Sequence, residues 1–372
     1  MKGIELYLLA IVWATVFLWT AKERERVEIL PLKNKEQGGR YALNAVGYCL
    51  IACLVPVFLA TFRHVSVGTD TGSVYHPYYY MPYCVFGEPY SGTEVGFYLV
   101  LKIGYALFCG FPGVLFTISL ITTGLSFYAL FSLTDGKFCF LAIAYVLAFW
   151  YFDSFNIMRQ ALAGAIVLFG WRYLRLGEPI LFTLCVFISA FFHNSALFAL
   201  VGVWFYFVQD KKLLYFCTLA VFPFLVFLLP IALTIFQNLG IFITYIERYK
   251  GFGYDFSPVN FSLVIYRLPV YGLLILCGKR LYREGSFSRI LLLFSACALG
   301  CYLCKIRMVW LTRLSGYVVF AEGLLVEKCA KYFKNKQLFS TLCCLYFALY
   351  FLLIYGVFQN GEIVPFLWGV LS

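Results

Sequence analysis

The stretch YFDSFNIMRQALAGAIVLFGWRYLR, residues 151–175, decides the fold. From Ile157 to Leu174 it is an apolar run of the kind that spans a bilayer, where roughly 20 apolar residues are needed. Asp153, Asn156, Arg159 and Gln160 crowd one end, and Arg172 and Arg175 mark the other. An apolar rod with polar side chains at its start and positive charge at its finish reads as one transmembrane helix of a polytopic protein.

The rest of the chain repeats this design. Of its 372 residues 63% are hydrophobic and 13% charged, and the mean hydropathy is +0.85. Soluble domains carry about 25% charge, so an ordinary cytosolic enzyme, a disordered chain and a small disulfide scaffold are excluded. The apolar runs predict spans at 4–20, 42–62, 112–133, 138–152, 157–174, 179–192, 195–208, 213–236, 260–277, 288–304, 308–326 and 338–356. The fold class is therefore all-α, a polytopic integral membrane protein with about 11–13 transmembrane helices. No repeat, linker or soluble insert interrupts them, so residues 1–372 read as a single integral domain with outer loops at about 63–111 and 237–259. The first run, Ile4 to Thr20, has one lysine before it and a basic stretch after it, which is an anchor orientation and not a cleavable export signal. Most of the 14 cysteines sit in apolar runs and act as small hydrophobes. Cys297, Cys301 and Cys304 share a helical face, where packing between helices is the preferred reading over a metal site. Cys84 lies in a polar outer loop without an evident partner.

Charge placement sets the topology. The net charge is +11, and cytoplasmic loops retain Lys and Arg, so the surplus does not imply nucleic acid. The segment Lys22–Arg40 is the firmest cytoplasmic loop. Arg172/Arg175, Lys211/Lys212, Lys279–Arg289 and Lys328–Lys336 join it under two conditions. The stretch near 94–110, with Glu94 and Lys102, must be an interfacial or re-entrant outer helix. The run 179–208 must cross twice, turning at His193-Asn194-Ser195, in preference to one long tilted helix. Ten basic residues are then left outside or in the membrane: Lys2, Arg63, Lys102, Arg159, Arg248, Lys250, Arg267, Lys305, Arg307 and Arg313.

Four polar clusters fall on that outer face. FRHVSVGTDTGSVY (62–75) carries Arg63, His64, Thr69 and Asp70. The opening stretch supplies Asp153, Asn156, Arg159 and Gln160, where Asn156 shares a helical face with Arg159 and Gln160. FFHNSAL brings His193, Asn194 and Ser195. The loop around IERYKGFGYDFSPVN holds Glu247, Arg248, Lys250 and Asp255. An arginine in an apolar helix costs at least about 2–3 kcal/mol on insertion scales. It is either neutralised by a carboxylate such as Asp153, or it snorkels to the interface, or it lines a cavity for an anion. Six outward arginines, at 63, 159, 248, 267, 307 and 313, collectively favour the cavity, because guanidinium holds phosphate in a bidentate way at any pH. Three histidines without an acidic or cysteine cluster give no metal site. No Gly-x-Ser-x-Gly, Walker loop or Asp-x-Asp signature is present, which disfavours a nucleotide-dependent enzyme.

These pieces resemble the Wzy-type bacterial polysaccharide polymerases, in particular the EpsG-like family. The resemblance rests on RHVSVGTDTGSVY with Glu94-x-Gly96-Phe97 and Lys102, on FNIMRQALAGAIVLF with its basic turn, on FFHNSAL, and more loosely on ERYKGF. Beyond residue 260 it is hydropathic only. Asn194 stands where a basic residue is often found, which weighs against a proton-relay role there. The resemblance implies a GT-C-like membrane glycosyltransferase that needs no metal or other cofactor. It would join undecaprenyl-pyrophosphate-linked oligosaccharide repeat units on the outer side of the bacterial cytoplasmic (inner) membrane, in exopolysaccharide, capsule or O-antigen synthesis. Besides that lipid-linked substrate, its expected partners are the bilayer, a chain-length regulator and a flippase.

In that chemistry Arg159, with Arg248, Arg307 and Arg313, meets the charge of the departing pyrophosphate. His193 is the first choice for the base that deprotonates the acceptor hydroxyl, and Asp70 the second. Glu94 and Asp153 orient sugar hydroxyls or hold arginine side chains. Arg63, Thr69, Lys102, Asn156, Gln160, Asn194, Ser195, Lys250 and Arg267 complete the expected substrate contacts. The tyrosines of VYHPYYYMPY either stack on sugars or pack within the loop, with packing preferred. An O-antigen-type ligase and a membrane acyltransferase acting on a surface glycan are the alternative activities, and a transporter or flippase is a third class.

Overall fold

The computed structural model describes residues 3–29, 35–88, 93–108, 110–208, 262–304 and 311–369. Among them there is no strand, only an isolated bridge between Arg63 and Trp368. Helices fall close to the expected spans: α1 Ile4–Ile29, α2 Lys35–Phe62, α3 Val95–Phe108, α4 Phe111–Leu133, α5 Cys139–Phe149, α6 Met158–Leu176, α7 Pro179–Ala190 and α8 Val201–Phe207. They continue with α9 Ser262–Glu284, α10 Ser286–Cys304, α11 Leu311–Leu314, α12 Phe320–Cys329 and α13 Lys336–Phe351. Four described stretches, Ile4–Arg24, Phe111–Leu133, Ser286–Leu303 and Lys336–Val357, are long and apolar enough to cross a membrane. Shorter apolar helices accompany them.

Apolar residues also face outward, as the membrane reading requires. On α13, Leu338, Leu342, Leu345 and Leu349 form an exposed stripe at helical spacing, while Phe347, Tyr350 and Phe351 on the same helix are buried. A helix apolar on both faces suits lipid on one side and protein on the other. The protein is an all-α polytopic membrane protein.

Three expectations are refined. The run 308–326 does not form one helix, because α11 ends in a tight turn at Ser315–Tyr317 before α12 starts. There the N–H groups of Val318 and Val319 both return to the Ser315 carbonyl; Ser-Gly pairs are common sites of such breaks. The run 179–208 is broken where expected, with α7 ending at Ala190 and a 3-10 segment, Asn194–Leu200, packing on α6 and α7. The expected loop after α2 is instead a wide-turned helix, Thr71–Val85, that contains Pro77 and Pro82. Neither proline has an N–H to give to an ordinary i→i−4 ladder. The expected span 213–236 and loop 237–259 lie outside the described residues.

The described residues form two compact units, Met1–Leu200 with Val326–Ser372, and Val201–Leu325. In the second, α10 packs against α8, α9 and α11. Within it Arg267 Nη1 donates to Glu322 Oε2 at 2.7 Å, and Tyr271 Oη donates to Glu322 Oε1 at 2.6 Å. In the first, α6 is the centre, packed against α4 and α7. Its Ala161, Ala163, Gly164 and Ala165 favour helix and allow close approach. Ser189 Oγ of α7 reaches the Ala163 carbonyl of α6 at 2.7 Å and fixes where the turn after α7 emerges.

The two ends of this first unit differ. One is held by Asp135, which accepts Lys328 Nζ at 2.9 Å and Arg175 Nη2. The other is closed by the C-terminal segment 359–369. That strap pairs His64 N–H with Leu367 O (2.8 Å), Gly369 N–H with Phe62 O (2.7 Å) and Gly68 N–H with Glu362 O (3.0 Å). Tyr7 Oη of α1 donates to Ile363 O at 2.7 Å.

Candidate functional site

Two polar hubs form at the strap end, both built on the start of α6. The first is Asn156, which precedes the helix. Its Oδ1 accepts the Thr69 hydroxyl at 3.1 Å and the Asp70 N–H at 3.3 Å, and its Nδ2 donates to Gly361 O at 3.0 Å. One amide thus fastens the 68–70 turn to the strap. Gly361 has φ +71°, and a Cβ there would collide with the Asn156 amide, so glycine is required on both counts.

The second hub is Glu94, one residue before α3. Its Oε2 accepts Arg159 Nη1 at 2.8 Å, and its Oε1 accepts His193 Nδ1 and the Asn194 N–H, each at 3.1 Å. The backbone makes this meeting possible. Gly96 N–H donates to Phe191 O at 2.9 Å, and a Cβ on Gly96 would stand 2.7 Å from that oxygen. Only a residue without a side chain lets the start of α3 reach the turn that carries His193. The Glu94 carboxylate is nearly enclosed, at 7% exposure, whereas Arg159 and His193 keep 21% and 26%.

Burial alone raises the carboxyl pKa of Glu94. The hydrogen bond from His193, the Arg159 charge and the Asn194 N–H outweigh it and bring the pKa down to about 2. Glu94 is therefore ionised at neutral pH. Arg159 lies over the Tyr79 ring at 4.8 Å, and its backbone N–H donates to Tyr75 Oη at 3.4 Å. Tyr75, Tyr79 and Tyr80 are buried in a cluster with Phe97, Leu101, Phe111 and Met158. Packing is thus the role of these three tyrosines, while Tyr78 faces outward.

The structure brings together Glu94, Arg159, His193 and Asn194 in one group, and Thr69, Asp70 and Asn156 in another. Asn156 and Arg159 do not act as one helical face, because α6 begins only at Met158. Gln160 is buried. The carboxylate paired with Arg159 is Glu94, while Asp153 accepts the Tyr355 hydroxyl at 2.8 Å. Arg63 is 4% exposed and turned inward, with Nη1 on Ala60 O and its guanidinium 4.2 Å from the Phe155 ring centre. Lys102 and Ser195 flank the Glu94 hub in sequence, Lys102 on an exposed face of α3. Arg267 and Arg313 belong to the second unit, Arg267 in its buried pair with Glu322. Arg248, Lys250 and Arg307 lie outside the described residues. Among the described residues no group of His, Cys, Asp and Glu could hold a metal ion. The strap is the component that sequence reasoning missed. Its hydrogen bonds to the rest of the unit join residues from 205 to 356 positions apart and leave no local signal.

A polytopic helical membrane protein with a charged, partly open cluster at one end of its bundle is the class defined by fold and site. The chain belongs to the EpsG family, whose model matches residues 46–368. Membership makes polysaccharide polymerisation the suggested class of activity, with a lipid-linked substrate in general terms. Neither a curated protein nor a solved structure matches the chain.

Proposed function

We propose that the protein is a glycosyltransferase that joins undecaprenyl-pyrophosphate-linked oligosaccharide repeat units on the outer side of the cytoplasmic membrane, with the Glu94 hub as its reaction centre. The observation that carries this reading is the single carboxylate bound at once by a guanidinium and an imidazole. Orientation follows from charge. Lys22, Lys137, Arg175 and Lys328 gather at the Asp135 end; positive-inside sorting makes that end cytoplasmic and the Glu94 end external.

The chemistry divides between two side chains. Glu94 accepts a hydrogen bond from the Nδ1–H of His193, which leaves Nε2 with its lone pair free to act as a base. The acceptor sugar hydroxyl gives its proton to Nε2 as its oxygen attacks the anomeric carbon of the donor. The bond from that carbon to pyrophosphate breaks, and the pyrophosphate leaves with the electron pair. Arg159 meets the charge that develops. Its Nη1 is committed to Glu94, while Nη2 takes no bond from the described residues and is left for a phosphate oxygen. Arg159 also lies in the first turn of α6, where backbone N–H groups favour an anion. Thr69, Asp70, Asn156, Asn194, Ser195 and Lys102 are assigned to the sugar and the carrier, with Asp70 as the second candidate base.

The test is genetic and chemical. Arg159→Ala and His193→Ala are expected to insert normally yet stop polymer growth, so that single lipid-linked repeat units accumulate. Full-length polymer from both variants would refute the assignment.

A further inference from the structure

Beneath the Asn156 hub, within the first unit, lies a small cavity lined by Arg63, Ser119, Thr122, Thr123, Tyr151 and Ser154, and by apolar side chains on its other walls. Its free space suits one body of about the size of a water molecule. Arg63 Nε and the Thr122 hydroxyl are buried without a hydrogen-bond partner, and the Tyr151 and Thr123 hydroxyls have no partner in the cavity except each other. Each of these residues is more than nine-tenths buried.

Arg63 has no carboxylate partner either: its charge faces the Ala60 carbonyl, the Thr71 hydroxyl and the Phe155 ring. Burial pushes its pKa down to about 10, which still leaves it protonated at neutral pH. Its electrostatic neighbours are the phenols of Tyr7 and Tyr151, and no described carboxylate lies within ion-pair distance. A cation this deeply buried normally has a counter-ion. The polar lining offers guanidinium N–H and hydroxyl O–H donors and no acid. We propose that this cavity is a binding site for a small monovalent anion of halide size, held by Arg63 Nε and the hydroxyls of Thr122, Thr123 and Tyr151. A halide is somewhat wider than a water, so the hydroxyl-bearing side chains must open slightly to admit it; phosphate and pyrophosphate are far too large, so the site is separate from the one that receives the lipid-linked substrate. It joins the end of α2 to α4 and to the 151–155 turn, directly below the residues that hold Asn156.

The experiment uses the purified full-length protein in detergent, at constant ionic strength, with sodium gluconate exchanged stepwise for sodium chloride. Chloride is expected to raise Tm saturably, by about 3 °C or more. Bromide should act similarly, and radioactive chloride should bind at one ion per chain. The shape-conserving variant Thr122→Val/Thr123→Val should lose most of the chloride response, and Arg63→Gln all of it. Should Arg63→Gln fail to fold, the double threonine variant decides. Equal Tm in gluconate and chloride for the native protein would overturn the proposal and assign the cavity to water. A chloride response undiminished in the threonine variant would overturn it equally.

Discussion

At one end of the first unit Asp135 gathers Lys328 and Arg175; at the other Glu94 gathers Arg159 and His193. Both are carboxylates between two basic side chains, but their surroundings differ. At the Asp135 end the cations also bind the carbonyls that α4 leaves free at its C-terminus. Lys22 Nζ donates to Phe131 O at 3.0 Å, and Arg175 Nη1 to Ser132 O and Leu133 O at 3.0 and 2.8 Å. Positive charge at a helix C-terminus is favourable by about 0.3–1 kcal/mol. Glu327 Oε1 accepts the Asp135 N–H at 2.9 Å. The three cations there are each bound to a helix end or to Asp135, and Glu327 Oε2 is buried without a hydrogen-bond partner.

Arg159 is placed against that preference. It sits in the first turn of α6, where the helix dipole disfavours a cation by a similar amount, and Glu94 offsets the cost. Its partner in the hub is a histidine, whose Nδ1 alone is engaged by the carboxylate. A purely structural pair gains nothing from the unfavourable end of a helix. An anion-handling site does, because the helix N-terminus and the guanidinium then attract the same ligand. Under the proposed function, the Asp135 group is a joint that holds helices together and the Glu94 group holds a charge in readiness.

The largest expected effect is the loss of catalysis at one end without loss of fold. His193→Ala and Arg159→Ala should each lower polymerisation by about 10²-fold or more, in keeping with removal of a general base or a charge-stabilising donor. Gel analysis of polymer and thin-layer analysis of lipid-linked units measure this. The matched change Lys328→Met at the other end should leave polymerisation per folded molecule unchanged. It removes the nearly buried charge partner of a partly exposed Asp135 and should cost about 1–3 kcal/mol, read as a lower Tm in detergent.

Gly361→Ala tests the strap. The added methyl meets the Asn156 amide at a backbone angle that alanine resists, at a cost of about 1–3 kcal/mol. Both Tm and polymer yield should fall, whereas Gly87→Ala, also at positive φ but with open space around it, should spare the polymer.

The smallest effect is in pH. The folded pKa of Glu94 is depressed to about 2 from an unfolded value of 4.5. Its contribution to stability is therefore fully present above pH 4.5 and is lost as pH falls toward 2. The Tm difference between the native protein and Glu94→Gln should be constant from pH 7 to 5 and shrink below 4.5. A difference that widens on acidification would contradict the ion pairing.

Most of the fold was legible because a membrane span announces itself within a window of about 20 residues. Even the break before His193 was signalled, by polar residues inside an apolar run. The helix at 71–85 was not, since Pro77 and Pro82 are ordinary loop markers and the wide turn that accommodates them has no sequence signature. Of the candidate site, the sequence singled out Glu94, Arg159 and His193, and it offered both Glu94 and Asp153 as partners for an arginine without choosing between them. Asp153 lies closer in sequence to Arg159 than Glu94 does, yet Asp153 takes the hydroxyl of Tyr355 and Glu94 takes the arginine. Arg63 and Arg267 looked like outward ligands because sequence shows an arginine near a membrane edge, not the direction it turns. Each is buried, one above the cavity near Tyr151 and the other against Glu322.

The most direct measurement is the initial rate of polymer formation by the purified protein in liposomes supplied with lipid-pyrophosphate-linked repeat units, for native, Arg159→Ala and His193→Ala forms matched in Tm to within a few degrees. The account predicts robust elongation by the native protein and a rate lower by about 10²-fold or more in each variant. Elongation by both variants at the native rate would contradict it.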